Sequence, residues 1–364
     1  MNPVYLLNLL IIILSVQVYS QTDSVKLMKP TGKFSVGTIV YEWTDDTREL
    51  QYSSHIGDKR TIIVQIWYPA VIDSGDVIAP YSALSNDYKN VKSNSYLRPS
   101  FTTELKSAPL IFISPGRGTE RYLYSTLTED LASHGFIVAS IDMPEIGYTI
   151  YKDGLVVKPS SKYKPPKGMM SGPYEKVDEF FEKPTAMGNQ DLNLALKKVA
   201  ELNDSDINNR FTNRINLQNI GIFGHSLGGR IAGEFASKKE NVRAYISMEG
   251  IPPRKVRFNG EISIPIVMLC SSGTLPYAIE NYNNLTNNRS NTVYMIELKD
   301  FGHNSVTDNP YIYPSYFNYV IDASEGLRIS RQLVTDYFRF YLNDEKIFTE
   351  SLKNIEKINI IEHK

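Results

Sequence analysis

The chain has 364 residues, 42% hydrophobic and 22% charged, an ordinary globular balance with length for one large domain or two small ones. Its formal net charge is -1, so no global field steers it toward nucleic acid or an anionic membrane. One cysteine, Cys270, excludes an internal disulfide; with no zinc-spaced Cys/His pairs and no His-Glu-x-x-His run, neither metal nor cofactor is expected.

Residues 1–20 carry an apolar core from Leu6 to Leu14 and close on Val18 and Ser20, the spacing of a cleavable export signal, although no Lys or Arg precedes the core. The run is short for a membrane span. A secreted or periplasmic chain is expected, with an uncleaved anchor as the alternative. Residues 33–69 read as antiparallel strands at one sheet edge, the β-branched run 61–69 stopping at Pro69. A Ser/Asn-rich stretch, 71–107, breaks the rhythm. The apolar run 108–116 is a buried strand ending in Pro115-Gly116, followed by a helix over 119–134 that stops at Gly135 and a strand over 135–144. Residues 151–186, rich in Lys, Pro, Gly and Tyr, form an insertion that reads as a lid or as a disordered loop. Helical periodicity covers 187–202, a strand 219–224, a helix 226–238, strands 243–250, 264–272 and 291–298, and a closing helix 325–342. This alternation predicts an α/β fold with a mostly parallel central sheet and helices on both faces. The catalytic domain is set at 28–348, and 349–364 at a charged, poorly packed tail.

Ser226 sits in Gly224-His225-Ser226-Leu227-Gly228, after a strand and before a helix. A serine hydroxyl attacks only when a base takes its proton, and a sharp turn lifts it to where a base can reach. Such a turn leaves room only for glycine on either side, and the helix start offers unpaired N–H groups for a developing oxyanion. The competing reading, a glycine-rich turn with an inert serine, is weakened by that context. A dinucleotide loop would need a different glycine spacing. In hydrolases with this turn the acid and then the histidine follow the serine. Only His303 and His363 do so, and His303 lies just past the last strand, where a base is needed. The acid candidates are Glu249, which ends an apolar strand, and Glu280, beyond the next one; Glu249 is preferred. The oxyanion donors are read as the N–H groups of Arg117, in the turn 114–120, and of Leu227; no role beyond solubility is read for the Arg117 side chain. Cys270, in an apolar run, reads as buried and inert.

The segments VQIWYPA (64–70), IFISPGRG (111–118), LASHGFIVASID (131–142), GIFGHSLGGR (221–230) and AYISMEG (244–250) resemble the α/β-hydrolase superfamily, and within it the group of plasma-type platelet-activating factor acetylhydrolases. The resemblance spans roughly 33–342 and implies the α/β-hydrolase fold, no cofactor, and an acid after the strand that follows the elbow. Position 249 occupies that place, which favours Glu249 over Glu280, and His303 matches the family's base. Two departures stand out: Pro115 replaces the usual histidine of the oxyanion turn, and a glutamate replaces the usual aspartate. The implied activity is serine-dependent cleavage of carboxylic esters, including short-chain acyl esters of lipids, with interfacial contact to lipid. A peptidase on the same fold and a non-catalytic binding protein are the alternatives.

Overall fold

Runs of branched apolar residues, each bounded by turn residues, assemble into one twisted sheet in the computed structural model, which describes residues 24–50, 57–82, 84–259, 262–286 and 291–363. The expected export signal, residues 1–20, lies outside these. The main strands are β1 (Ser35–Glu49), β2 (Lys59–Val71), β3 (Ala108–Ser114), β4 (Ile137–Asp142), β5 (Ile215–His225), β6 (Val242–Met248), β7 (Ile266–Ser271), β8 (Val293–Leu298) and β9 (Ile358–His363). Their spatial order is β1-β2-β4-β3-β5-β6-β7-β8-β9. From β4 to β8 every pairing is parallel; β1, β2 and β9 join antiparallel.

Helices cover both faces because the parallel strands alternate two apolar faces. Helices α2 (Tyr174–Asp204), α3 (Leu227–Ser237) and α5 (Leu275–Thr286) cover one face, where Leu192, Ile231, Phe235 and Ala278 pack with Phe112, Ile222 and Met268. Helices α1 (Ser125–Ser133) and α6 (Ala323–Asn343) cover the other, where Leu131, Leu333 and Phe338 pack with Ile113, Phe223 and Ile246. The short α4 (Arg254–Asn259) and α7 (Phe348–Asn354) complete the layers. Cys270 is buried in the first core, and burial pushes its thiol pKa up, as fits an inert side chain.

Four segments differ from the sequence reading. The charged stretch 349–364, expected as a loose tail, forms most of α7 and then β9, which pairs with β8 from Leu298↔Ile358 onward. Phe348 and Leu352 bury into the second core, and an edge strand needs only one apolar face. Helix α2 begins at Tyr174 rather than 187 and passes through Pro184. A proline costs a helix one donor, here the one that would meet the Phe180 carbonyl; the Thr185 hydroxyl donates to the next carbonyl, that of Phe181, at 2.5 Å. Strand β2 runs through Pro69 to Val71; its ladder with β4 ends at Trp67, so the missing N–H falls beyond that pairing. The Ser/Asn-rich stretch contributes the strand Val91–Leu97, which lies parallel beside β1.

Candidate active site

The carboxyl ends of β3, β5, β6 and β7 meet where the strand order reverses, the place at which open α/β sheets bind ligands. At the end of β5 the chain turns through Ser226 with φ 55 and ψ -123, outside the usual L-residue regions. The Ser226 N–H donates to the Met248 carbonyl at 2.8 Å, which fastens the turn to β6. The surrounding glycines follow from space: a Cβ at Gly224 would lie 2.2 Å from the Gly228 carbonyl oxygen, and one at Gly228 would lie 2.0 Å from that of Ser114. Gly250 is equally constrained, its Cβ falling 2.3 Å from the Ser226 oxygen.

The residue before Gly250 is Glu249, also left-handed, with φ 58. Its N–H continues the ladder to the Leu269 carbonyl at 2.8 Å, and its side chain then turns inward, 1% exposed. One carboxylate oxygen accepts the Ser271 N–H; the other accepts the Ser271 hydroxyl at 2.9 Å, the Thr274 hydroxyl, and His303 Nδ1 at 3.2 Å. Burial is the largest influence and pushes the carboxyl pKa up. The bonds from His303, Thr274 and Ser271 outweigh it and hold the group below its ordinary value, hence ionised. His303 follows β8, with a side chain 48% exposed toward the cavity. With Nδ1–H donated to Glu249, Nε2 is left free to accept. Glu280 is not brought here: it is exposed on α5, with its carboxylate against Tyr174.

Ser226, His303 and Glu249 all line one cavity of about 350 Å³. Its apolar walls come from Leu227, Ile251 and Tyr277 on the core side, and from Pro165, Met170 and Phe181 of the 151–186 insertion and the start of α2. Of the two N–H groups read as oxyanion donors, neither Arg117 nor Leu227 makes a backbone hydrogen bond among the described residues. The neighbouring Gly116 N–H is taken, donating to the Tyr124 hydroxyl at 3.1 Å.

That bond begins a chain the sequence analysis missed. The Tyr124 hydroxyl, accepting from Gly116, donates to His225 Nδ1 at 2.8 Å, and His225 Nε2–H donates to the His303 carbonyl at 2.7 Å. Burial, and then the nearby His303, push the His225 pKa down to about 3, so its ring is neutral. The 114–120 turn, the turn at Ser226 and the loop of His303 are thereby linked through one imidazole. His225 precedes the serine in sequence, and its place inside the turn motif is the one sequence signal of this link. Among the described residues no group of three His, Cys, Asp or Glu side chains is placed to hold a metal ion.

Comparison with known proteins bears on the fold. Residues 19–145 match the family model of platelet-activating factor acetylhydrolase, isoform II, and residues 109–268 match that of the alpha/beta hydrolase fold. A solved structure, a ferulic acid esterase from Streptomyces cinnamoneus, is similar with a TM-score of 0.74 and 20% identity, covering 93% of this chain and 100% of its own. No curated protein matches the chain.

Proposed function

We propose, from the premise that this chain is an ester-cleaving hydrolase of the α/β-hydrolase fold, that Ser226 is its nucleophile, His303 its base and Glu249 the acid that orients the base. The observation that carries the reading is the pairing of a strained, cavity-facing Ser226 with a His303 whose Nδ1 is committed to an ionised Glu249. Ser226 attacks the ester carbonyl as its proton passes to His303 Nε2. The N–H groups of Arg117 and Leu227 receive the oxyanion, and the imidazolium is stabilised by Glu249. The tetrahedral intermediate expels the alcohol, which takes the proton from His303. Water then attacks the acyl-enzyme with His303 again as base, releasing the acid and restoring Ser226.

A cavity of about 350 Å³ with apolar walls suits a short acyl chain or a single ring rather than a long fatty acyl group. We place short-chain acyl esters, those of lipids included, as the substrate class, and the 151–186 insertion as the cavity's roof. The apolar segment Leu6–Leu14 closed by Ser20 supports export.

Ser226→Ala is expected to lower kcat on a short-chain p-nitrophenyl ester by about a thousandfold or more and to abolish labelling by a fluorophosphonate probe. Undiminished turnover in the variant would remove Ser226 from the mechanism. A peptide amide cleaved as fast as the ester would favour the peptidase alternative, and absent labelling of the wild type would favour a binding protein.

A further inference from the structure

Two guanidinium groups line the cavity, and they differ in what they face. Arg230 is neutralised: its Nη1 lies 2.5 Å from Asp178 and its Nε donates to the Thr185 hydroxyl at 3.1 Å. Asp178 is shared with a third guanidinium, Arg257, at 2.7 Å. Arg117 has no carboxylate partner among the described residues. Its Nη2 is tethered to the Ser160 carbonyl at 3.1 Å, and its Nε is buried with no hydrogen-bond acceptor. That Nε is closed off from the cavity, so what the site offers an anion is the outer edge of a cation that lines it with no carboxylate beside it among the described residues. Burial also lowers the pKa of this guanidinium, the direction expected for a charge short of solvation. The one carboxylate on the cavity wall among the described residues, Glu249, is already committed to Ser271, Thr274 and His303.

We propose that Arg117 binds an anionic oxygen group, a carboxylate or a phosphate, carried by the ester substrate, and so selects acidic esters with a small apolar body over neutral ones. The proposal rests on the reading of Ser226 as nucleophile, because it places the anion beside the turn that receives the oxyanion. The rigid fork of arginine suits two-point contact with either anion, and the apolar walls of Met170, Phe181 and Ile251 hold the rest of the molecule.

The test compares two substrate pairs on the full chain: p-nitrophenyl hydrogen glutarate against p-nitrophenyl valerate, and butyryl glycerol phosphate against butyrylglycerol. The wild type is expected to favour the anionic member of at least one pair by about tenfold in kcat/KM, the scale of a charge-assisted hydrogen bond. Which pair responds identifies carboxylate or phosphate. Arg117→Gln is expected to collapse that ratio, mainly through KM, with Arg117→Lys retaining part of it. Independently of any variant, the wild-type ratio is expected to fall as salt rises. A ratio near one in both pairs, or one unmoved by Arg117→Gln and by salt, overturns the proposal while a fluorophosphonate-labelled Ser226 leaves the nucleophile standing. An unlabelled Ser226 removes the nucleophile and the proposal together.

Discussion

The His303 carbonyl can only accept, and in a neutral ring that single constraint puts the proton on His225 Nε2 and makes Nδ1 the acceptor of the Tyr124 hydroxyl. It also makes His225 a measurable probe of pH. The unfolded chain takes up a proton at this position near the ordinary value of 6.5, whereas the folded chain refuses it until about pH 3. The stability contributed by the neutral ring is therefore complete above pH 6.5 and drains away as pH falls toward 3. His225→Gln lacks this group. The difference in unfolding free energy between variant and wild type, from urea titrations, is expected to be level above pH 6.5 and to change steadily below it. A difference independent of pH would mean the ring titrates normally. Ser226 and His303 were legible because a turn motif and elimination among five histidines suffice for them, and Glu249 because a carboxylate ended an apolar strand. Tyr124 was not legible: it lies 101 residues from His225, and only the fold brings them together.

Among the elements, the turn from β5 into α3 has the least room. An added methyl at Gly228 would lie far inside contact distance of the Ser114 carbonyl, so Gly228→Ala must displace either β3 or the turn at Ser226. A loss of about 2 kcal/mol or more in denaturant unfolding is expected, together with loss of esterase activity. Gly75→Ala, which meets nothing within 4 Å, serves as the silent comparison. The parallel strands were legible because both their faces are apolar, which leaves unbroken hydrophobic runs. Strand β9 was obscured for the opposite reason: in INIIEH the polar residues of an edge strand read as a tail. The first half of α2 was hidden by Pro184, which in sequence looks like a helix boundary, and by apolar positions as sparse as Val177 and Phe181.

In the molecule as a whole, the two cores meet Ser226, Glu249 and His303 at the strand ends, so roof and floor of the cavity belong to different layers. The floor is the β5 elbow and the ends of β6 and β7, held by ladders on both sides. The roof is carried partly by Phe181 on α2. That helix has 31 residues, a rod of about 46 Å at 1.5 Å per residue, and its far half is locked into the first core by Leu192, Ala195 and Val199. Its near half is held as well, by Asp178 paired to Arg230 and Arg257 and by Phe181 against the same core, so load passes along the rod from turn to turn. Pressure from an occupant at Phe181 is resisted by the packing of Val199, and the weak point along the shaft is Pro184, where one backbone bond is absent. Occupying the site should therefore be felt deep in the core. Covalent modification of Ser226 by a bulky phosphonate is expected to change amide hydrogen exchange in 192–204 as well as in 160–181, and exchange altered only in the roof would show that Pro184 uncouples the two halves.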